Sequence, residues 1–262
     1  MRHGVPPPPA YAYSDLGGFL EIYGQVCNSM RTPDDFERVI IEHARSMTEQ
    51  GIEYAELSFN PGLHPGEEWL AGVVHGRRAA IELGVDIAWL VELNRGGSGT
   101  ANERSLDIAF AIEGVVGIGL VGDESLPSNA LVPMVERAHA AGLRFMPHAG
   151  QTGDPEVVRE AVEVLHADRI AHGVASLEDR SVLDLLIDRG ICLCVCPSSN
   201  ARIGLRPDFG RLAEAGVPLT VNSDDPAMVG TTLVKELELA KTAHGLRRDA
   251  LIAAAWEYSF SR

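Results

Sequence analysis

Cations are scarce in this sequence: 22 lysines and arginines stand against 37 aspartates and glutamates, a formal net charge of −15. Binding to phosphate backbones or anionic bilayers needs clustered cations, so the composition excludes nucleic acid and charged membranes as partners. Small neutral substrates stay open. No apolar run reaches the roughly 18 residues that a spanning helix needs. The opening Met1-Arg2-His3-Gly4-Val5, followed by four prolines, lacks the apolar core of a secretory leader. Cysteine is rare as well. Three of the four crowd into Cys192-Leu193-Cys194-Val195-Cys196, which makes no secreted disulfide framework. A cytoplasmic protein is expected.

What is present is an ordinary globular composition, 45% apolar and 23% charged over 262 residues, enough for one barrel-sized domain spanning residues 1–262. One theme repeats along the interior: a short β-branched apolar run, a polar loop, then a longer segment with helical period. The predicted strands are Glu53–Asn60, Asp86–Leu93, Val115–Val121, Arg144–His148, Arg169–Gly173, Ile191–Cys196 and Pro218–Asn222. Several are apolar nearly throughout, as parallel strands covered on both faces must be. Helices fill the gaps. Thr32-Pro33-Asp34-Asp35 is a start signal, with a threonine cap, proline at the first helical position and acids at the positive dipole end; Gly51 closes that helix.

Alternating strands and helices allow an open doubly wound sheet or a closed barrel. Gly117-Ile118-Gly119-Leu120-Val121-Gly122 matches the dinucleotide fingerprint, but its glycines fall inside the apolar run and a loop follows, Asp123-Glu124-Ser125-Leu126-Pro127. That motif has meaning only between strand and helix. The barrel is favoured by five strands that end in polar clusters: Gly122-Asp123-Glu124, His148-Ala149-Gly150-Gln151, His172-Gly173, Ser198-Ser199-Asn200 and Ser223-Asp224-Asp225. Barrel active sites form at the C-terminal strand ends, where such clusters converge.

His148, His172, Asp224 and Asp225 form the leading constellation. Taken singly, a histidine is an ordinary polar residue and Asp-Asp-Pro an ordinary turn. Together at strand ends they suit a divalent metal held by nitrogen and oxygen. The alternating cysteines share one strand face and read as small buried side chains lining a barrel. The remaining histidines, His3, His43, His64, His75, His139, His166 and His244, fall in predicted helices or loops and are expected at the surface.

In order and spacing, His148-Ala149-Gly150, Arg169-Ile170-Ala171-His172-Gly173, Cys196-Pro197-Ser198-Ser199-Asn200 and Ser223-Asp224-Asp225-Pro226 resemble the adenosine deaminase family. Gly119-Leu120-Val121-Gly122-Asp123-Glu124 resembles its purine-binding strand end. Tyr54-Ala55-Glu56-Leu57 with Asn60-Pro61 resembles its second strand. The likeness runs nearly end to end. It implies a (β/α)8 TIM-type barrel whose first strand is missing from this chain, because Arg2-His3-Gly4-Val5 resembles the end of the family's first helix. It also implies zinc, with His148 and Asp224 as ligands, His172 orienting and deprotonating the attacking water, and Asp225 and the Gly122 backbone binding ring nitrogens. The implied reaction is hydrolytic deamination of adenosine or a related 6-aminopurine.

The sequence departs from the family twice. Gln151 stands where the family has a proton-shuttling glutamate, and the family's H-x-H zinc pair occurs nowhere in the chain. Two further functional readings follow, a non-catalytic purine-nucleoside binder and an amidohydrolase acting on another amino-heterocycle.

Overall fold

The computed structural model describes residues 11–152 and 154–261, so Arg2-His3-Gly4-Val5 lies outside the described residues. In chain order the main elements are α1 (Leu16–Ser29), α2 (Pro33–Glu49), β1 (Tyr54–Phe59), α3 (Leu70–Glu82), β2 (Asp86–Asn94), α4 (Gly99–Ala111), β3 (Val115–Val121), α5 (Val132–Ala140), β4 (Arg144–Ala149), α6 (Pro155–Glu163), β5 (Arg169–His172), α7 (Arg180–Arg189), β6 (Cys192–Val195), α8 (Pro197–Arg202), α9 (Phe209–Ala215), β7 (Leu219–Val221), α10 (Pro226–Val229), α11 (Leu233–His244) and α12 (Arg248–Glu257). Each strand lies within one residue of its expected limits. The helix start at Thr32 is also as expected: Thr32 and Asp35 form a reciprocal capping box, and Gly51 adopts φ +72°.

The seven strands pair in sequence order, all parallel. Among the described residues this is a (β/α) barrel sheet of seven strands, one short of the eight of a closed barrel. Side chains alternate across a strand, and here one face looks outward. Val91, Leu93, Ile118, Leu120, Phe145, Ile170, Leu193, Val195, Leu219 and Val221 join one core with the surrounding helices. A second core joins α2 and α3 to β1 and β2 through Phe36, Ile40, Trp69, Ile87 and Trp89. Gly72 lets α2 and α3 approach closely, since a Cβ there would lie 2.0 Å from the Pro33 carbonyl oxygen.

The inward face carries the polar residues. Glu56 of β1 and Arg169 of β5 form a buried ion pair across the interior, so the sheet curls until these two walls meet. The C-terminal segment seals that floor: Arg169 Nη1 donates to the Tyr258 carbonyl at 2.8 Å, the Phe260 amide donates to Glu56 Oε1 at 2.6 Å, and the Arg169 guanidinium sits 3.6 Å from the Phe260 ring centroid. At the other end, the segment leading into α1 reaches α10, where the Tyr13 hydroxyl donates to the Met228 carbonyl at 3.2 Å. No helix among the described residues is long and apolar enough to cross a membrane.

One sequence expectation is overturned. His64 is not a surface residue but 8% exposed, packed edge-on to Phe36 at 4.8 Å and against Trp69 at 5.2 Å. The loop after β1 tucks it beneath α2, a contact that local polarity does not reveal.

Candidate active site

The C-terminal strand ends bring His148, His172 and Asp224 together. The rings of His148 and His172 lie 5.2 Å apart, centroid to centroid, and His172 Nε2 is 3.8 Å from Asp224 Oδ2. Neighbouring strands make this possible, because β4 and β5 pair with His148 beside Ala171 and Ala149 beside His172. His172 and Asp224 adopt φ +66° and +55°, two of the three positive values at non-glycine residues among those described. Backbone strain of this kind collects at functional sites. Gly150 is required sterically: its φ is +69°, and a Cβ there would meet Val158 Cγ2 at 2.4 Å.

Asn200 of α8 orients the His172 ring, its Oδ1 lying 3.1 Å from Nδ1. With Asn200 Oδ1 as acceptor, the ring donates from Nδ1 and turns Nε2 toward Asp224. The short helix α8 that supplies Asn200 is tied down in turn. The Ser198 amide donates to Glu236 Oε2 at 2.9 Å, and the Thr231 hydroxyl holds the other oxygen of this buried α11 carboxylate. Arg95 bridges the ends of β3 and β4. Its Nη2 donates to the His148 carbonyl at 3.2 Å, and its backbone packs beneath Gly122, whose φ is +110°. Gln151 is half-buried, its backbone amide donating to Glu124 Oε1 at 3.1 Å, while Thr152 Oγ1 donates to the other Glu124 oxygen at 3.2 Å. Asp123 is not drawn in; it is exposed and bonds only locally to Ser125.

Electrostatics separate the groups. Burial, reinforced by the positive field of His172, holds the His148 imidazole down to about 4. Burial opposes ionisation of Asp224, but His172, the Ser199 hydroxyl and His148 outweigh it and keep that carboxyl below its ordinary range. Asp225 is pushed well up, first by burial and then by the Asp224 charge. Asp224 exposes its backbone at the mouth, whereas its side chain is only 20% exposed.

The donor set suits a divalent metal of intermediate softness. Imidazole nitrogens and an ionised carboxylate converge, and the buried His148 Nδ1 has no hydrogen-bond partner among the described residues. Cys196 joins them, since one ligand atom each from His172, Cys196 and Asp224 lies within 4.8 Å of the others. Sequence reasoning placed Cys196 on a barrel-lining face but not in this cluster. Its thiol is pushed up by burial and by Asp224. Two surface cavities of about 360 Å³ lie elsewhere, lined by residues such as Arg180 and Arg211 or Arg38 and Arg45 on outer helices.

Arg95 and Glu236, which hold backbone groups of the site, and the buried Glu92 of β2 are residues that sequence reasoning missed. Only Glu92 had a signal, a lone charge inside the apolar run Ile87–Leu93. It is 3% exposed, and burial, opposed by the Ser58 hydroxyl, pushes its carboxyl from an ordinary 4.5 up to about 8. Between these values the folded chain keeps a proton that the unfolded chain has released. Stability from Glu92 is therefore greatest below about pH 4.5, falls as pH rises to about 8 and is then flat. The loss is on the order of a few kcal/mol, at about 1.4 kcal/mol per pKa unit. Urea unfolding at about pH 5 and about pH 8 should show Glu92→Gln losing less stability than the native chain over this window. Equal losses in both would mean that Glu92 is ionised in the folded state.

Comparison with known proteins places this geometry in context. The sequence model described as adenosine deaminase matches residues 10–258. The chain is 36% identical over 258 residues to an aminodeoxyfutalosine deaminase of Streptomyces coelicolor, covering 92% of this chain and 66% of that protein. It is 33% identical to an adenine deaminase of Rhodospirillum rubrum, covering 96% and 80% respectively. The crystal structure of an adenine deaminase from Arthrobacter aurescens superposes with a TM-score of 0.89 at 27% identity, over 97% of this chain and 82% of that one.

Proposed function

The chain belongs to the adenosine deaminase family, and on that premise we propose that it is a zinc-dependent hydrolase that releases ammonia from a 6-aminopurine, as free base or nucleoside. The observation that carries the reading is the convergence of His148, His172 and Asp224 at one barrel mouth, with Asp225 beside Asp224. His148 and Asp224 would hold the metal. When bound, it supplies Lewis acidity that makes water a competent nucleophile near neutral pH.

The chain's own residues supply the rest. His172, fixed by Asn200, presents Nε2 to take a proton from the attacking water. Asp225 and the Gly122 backbone hydrogen-bond ring nitrogens and orient the amino-bearing carbon toward His172. Gln151, three residues past His148, donates a hydrogen bond to a ring nitrogen but has no proton to transfer. A cytoplasmic location belongs to the same proposal and is supported by the free, buried state of all four cysteines.

The specific observation of Gln151 favours a second reading, a purine binder that turns its ligand over slowly or not at all. Ammonia release from adenine, adenosine and aminodeoxyfutalosine, measured beside equilibrium binding of each, separates the two. Turnover of any one of them supports the hydrolase. Binding to one or more with no ammonia from any would leave the binder.

A further inference from the structure

The sheet stops short of two residues on which the mechanism depends. The ladder between β6 and β7 ends with the Asn222 amide donating to the Val195 carbonyl at 2.9 Å. Asn200, within α8, and Asp224, just ahead of α10, both lie beyond it. Helices of six and four residues do not hold their own place. Their mutual position is set by what they are bonded to.

Glu236 of α11 bonds to α8 and to the turn that closes α10. Its side chain is 1% exposed. Oε2 accepts the Ser198 amide at 2.9 Å, and Oε1 accepts the Thr231 hydroxyl. The Ser198 amide lies in the first turn of α8, where no partner exists within the helix. Thr231 is tied to α10 by its own amide, which donates to the Pro226 carbonyl at 3.0 Å. Within α10, the Met228 and Val229 amides donate to the Asp225 carbonyl at 3.0 and 2.8 Å. One carboxylate thus spans from the helix that carries Asn200 to the turn that follows Asp224 and Asp225. The outer side is clasped as well, since Arg202 of α8 stacks on Tyr13, whose hydroxyl bonds the Met228 carbonyl of α10. Arg202 is exposed and water competes for it; the Glu236 bonds are dry, where losing a partner is costly. Burying a carboxylate also costs free energy, and a methionine of similar length would fill the space without that cost.

We propose that Glu236 is a positioning residue that locks α8 to α10 and so sets the 3.8 Å separation of His172 Nε2 from Asp224 Oδ2. It acts through Asn200, which holds the His172 ring at Nδ1, and through α10, into which Asp224 leads. The role needs hydrogen-bond geometry and not charge. The inference rests on the deaminase reading only for the reaction that this geometry serves.

Glu236→Met removes both bonds with little change of size. Glu236→Gln keeps both, its carbonyl accepting the Ser198 amide and its amide donating to the Thr231 hydroxyl. Thr231→Val removes one bond, so the test does not depend on Glu236→Met folding. Ammonia release by the full chain should fall by about 10²-fold in Glu236→Met, the cost of displacing reacting groups by about 1 Å. Glu236→Gln should stay near the native rate, and Thr231→Val should fall between. A second readout needs no turnover: the His172 Nδ1 proton, buried and bonded to Asn200, gives a slowly exchanging downfield resonance in isotope-labelled protein. It should be lost in Glu236→Met, weakened in Thr231→Val and kept in Glu236→Gln. Glu56→Ala, which lowers stability from the barrel floor, is the control and should keep it, with thermal melts showing which variants are folded. A native resonance in Glu236→Met or Thr231→Val, its loss in Glu236→Gln, or its equal loss in Glu56→Ala overturns the proposal. If the native chain releases no ammonia from adenine, adenosine or aminodeoxyfutalosine, the deaminase reading fails and the resonance alone decides the role of Glu236.

Discussion

Gln151→Glu is expected to raise the rate of ammonia release from an adenine-type substrate by about 10²-fold or more, the lower end of what general acid catalysis contributes. The position is set for it. Gln151 follows His148-Ala149-Gly150 on a loop whose backbone is pinned by Glu124, so a carboxyl introduced there replaces an amide of nearly the same shape. The Glu124 carboxylate is close by, and a like charge raises the pKa of a new neighbouring acid. That favours the protonated form needed to deliver a proton to a ring nitrogen. Affinity should change less than rate, because glutamine already offers that nitrogen a hydrogen bond. Steady-state ammonia release from adenine and adenosine, with kcat and KM resolved for both proteins, provides the measurement. A native enzyme that turns over a heterocycle fast and is slowed by the substitution would make Gln151 an adaptation to different chemistry.

Removing one partner of the Glu56–Arg169 pair is expected to cost about 3–5 kcal/mol of folding stability, a large share of the roughly 5–15 kcal/mol typical of a folded domain. The two side chains are 9% and 8% exposed, so Glu56→Ala leaves a guanidinium in the interior without its counter-charge. It also takes an acceptor from the Phe260 amide and from the Tyr54 hydroxyl. Replacing both by methionine should cost far less than the sum of the single changes, since buried ion pairs often exchange for apolar groups near neutrality. Urea denaturation of both single variants and the double variant gives the coupling directly. Single changes that each cost under about 1 kcal/mol would mean that water reaches the pair and behaves as it does at an exposed bridge.

Much of the architecture was legible in the amino-acid order. Apolar runs of Val, Ile and Leu bounded by Gly, Asp and Pro located all seven strands to within a residue, because a buried parallel strand must be apolar on both faces. Strand-end motifs picked out His148, His172 and Asp224 because a barrel brings every C-terminal strand end to one mouth. Those are local signals, and they needed only the rule for how such elements assemble.

Tertiary structure decided everything that depends on which inward side chain faces which. Glu56 and Arg169 are separated by 113 positions, and nothing local to either announces the other. His64 was read as a surface residue and is buried, since its loop folds under α2. Cys196 enters the metal-suited cluster only because β6 ends between β5 and β7. Arg95 and Glu236 matter through backbone groups they hold, of His148 and Ser198. By itself the sequence determined the strands, the helices, the faces of each strand and the motifs at their ends. Sheet register decided that Glu92 fills the notch at Gly119. The physical reason is that periodicity reports how a residue sits on its own strand, whereas its partners across the barrel are set by the closure of the whole sheet.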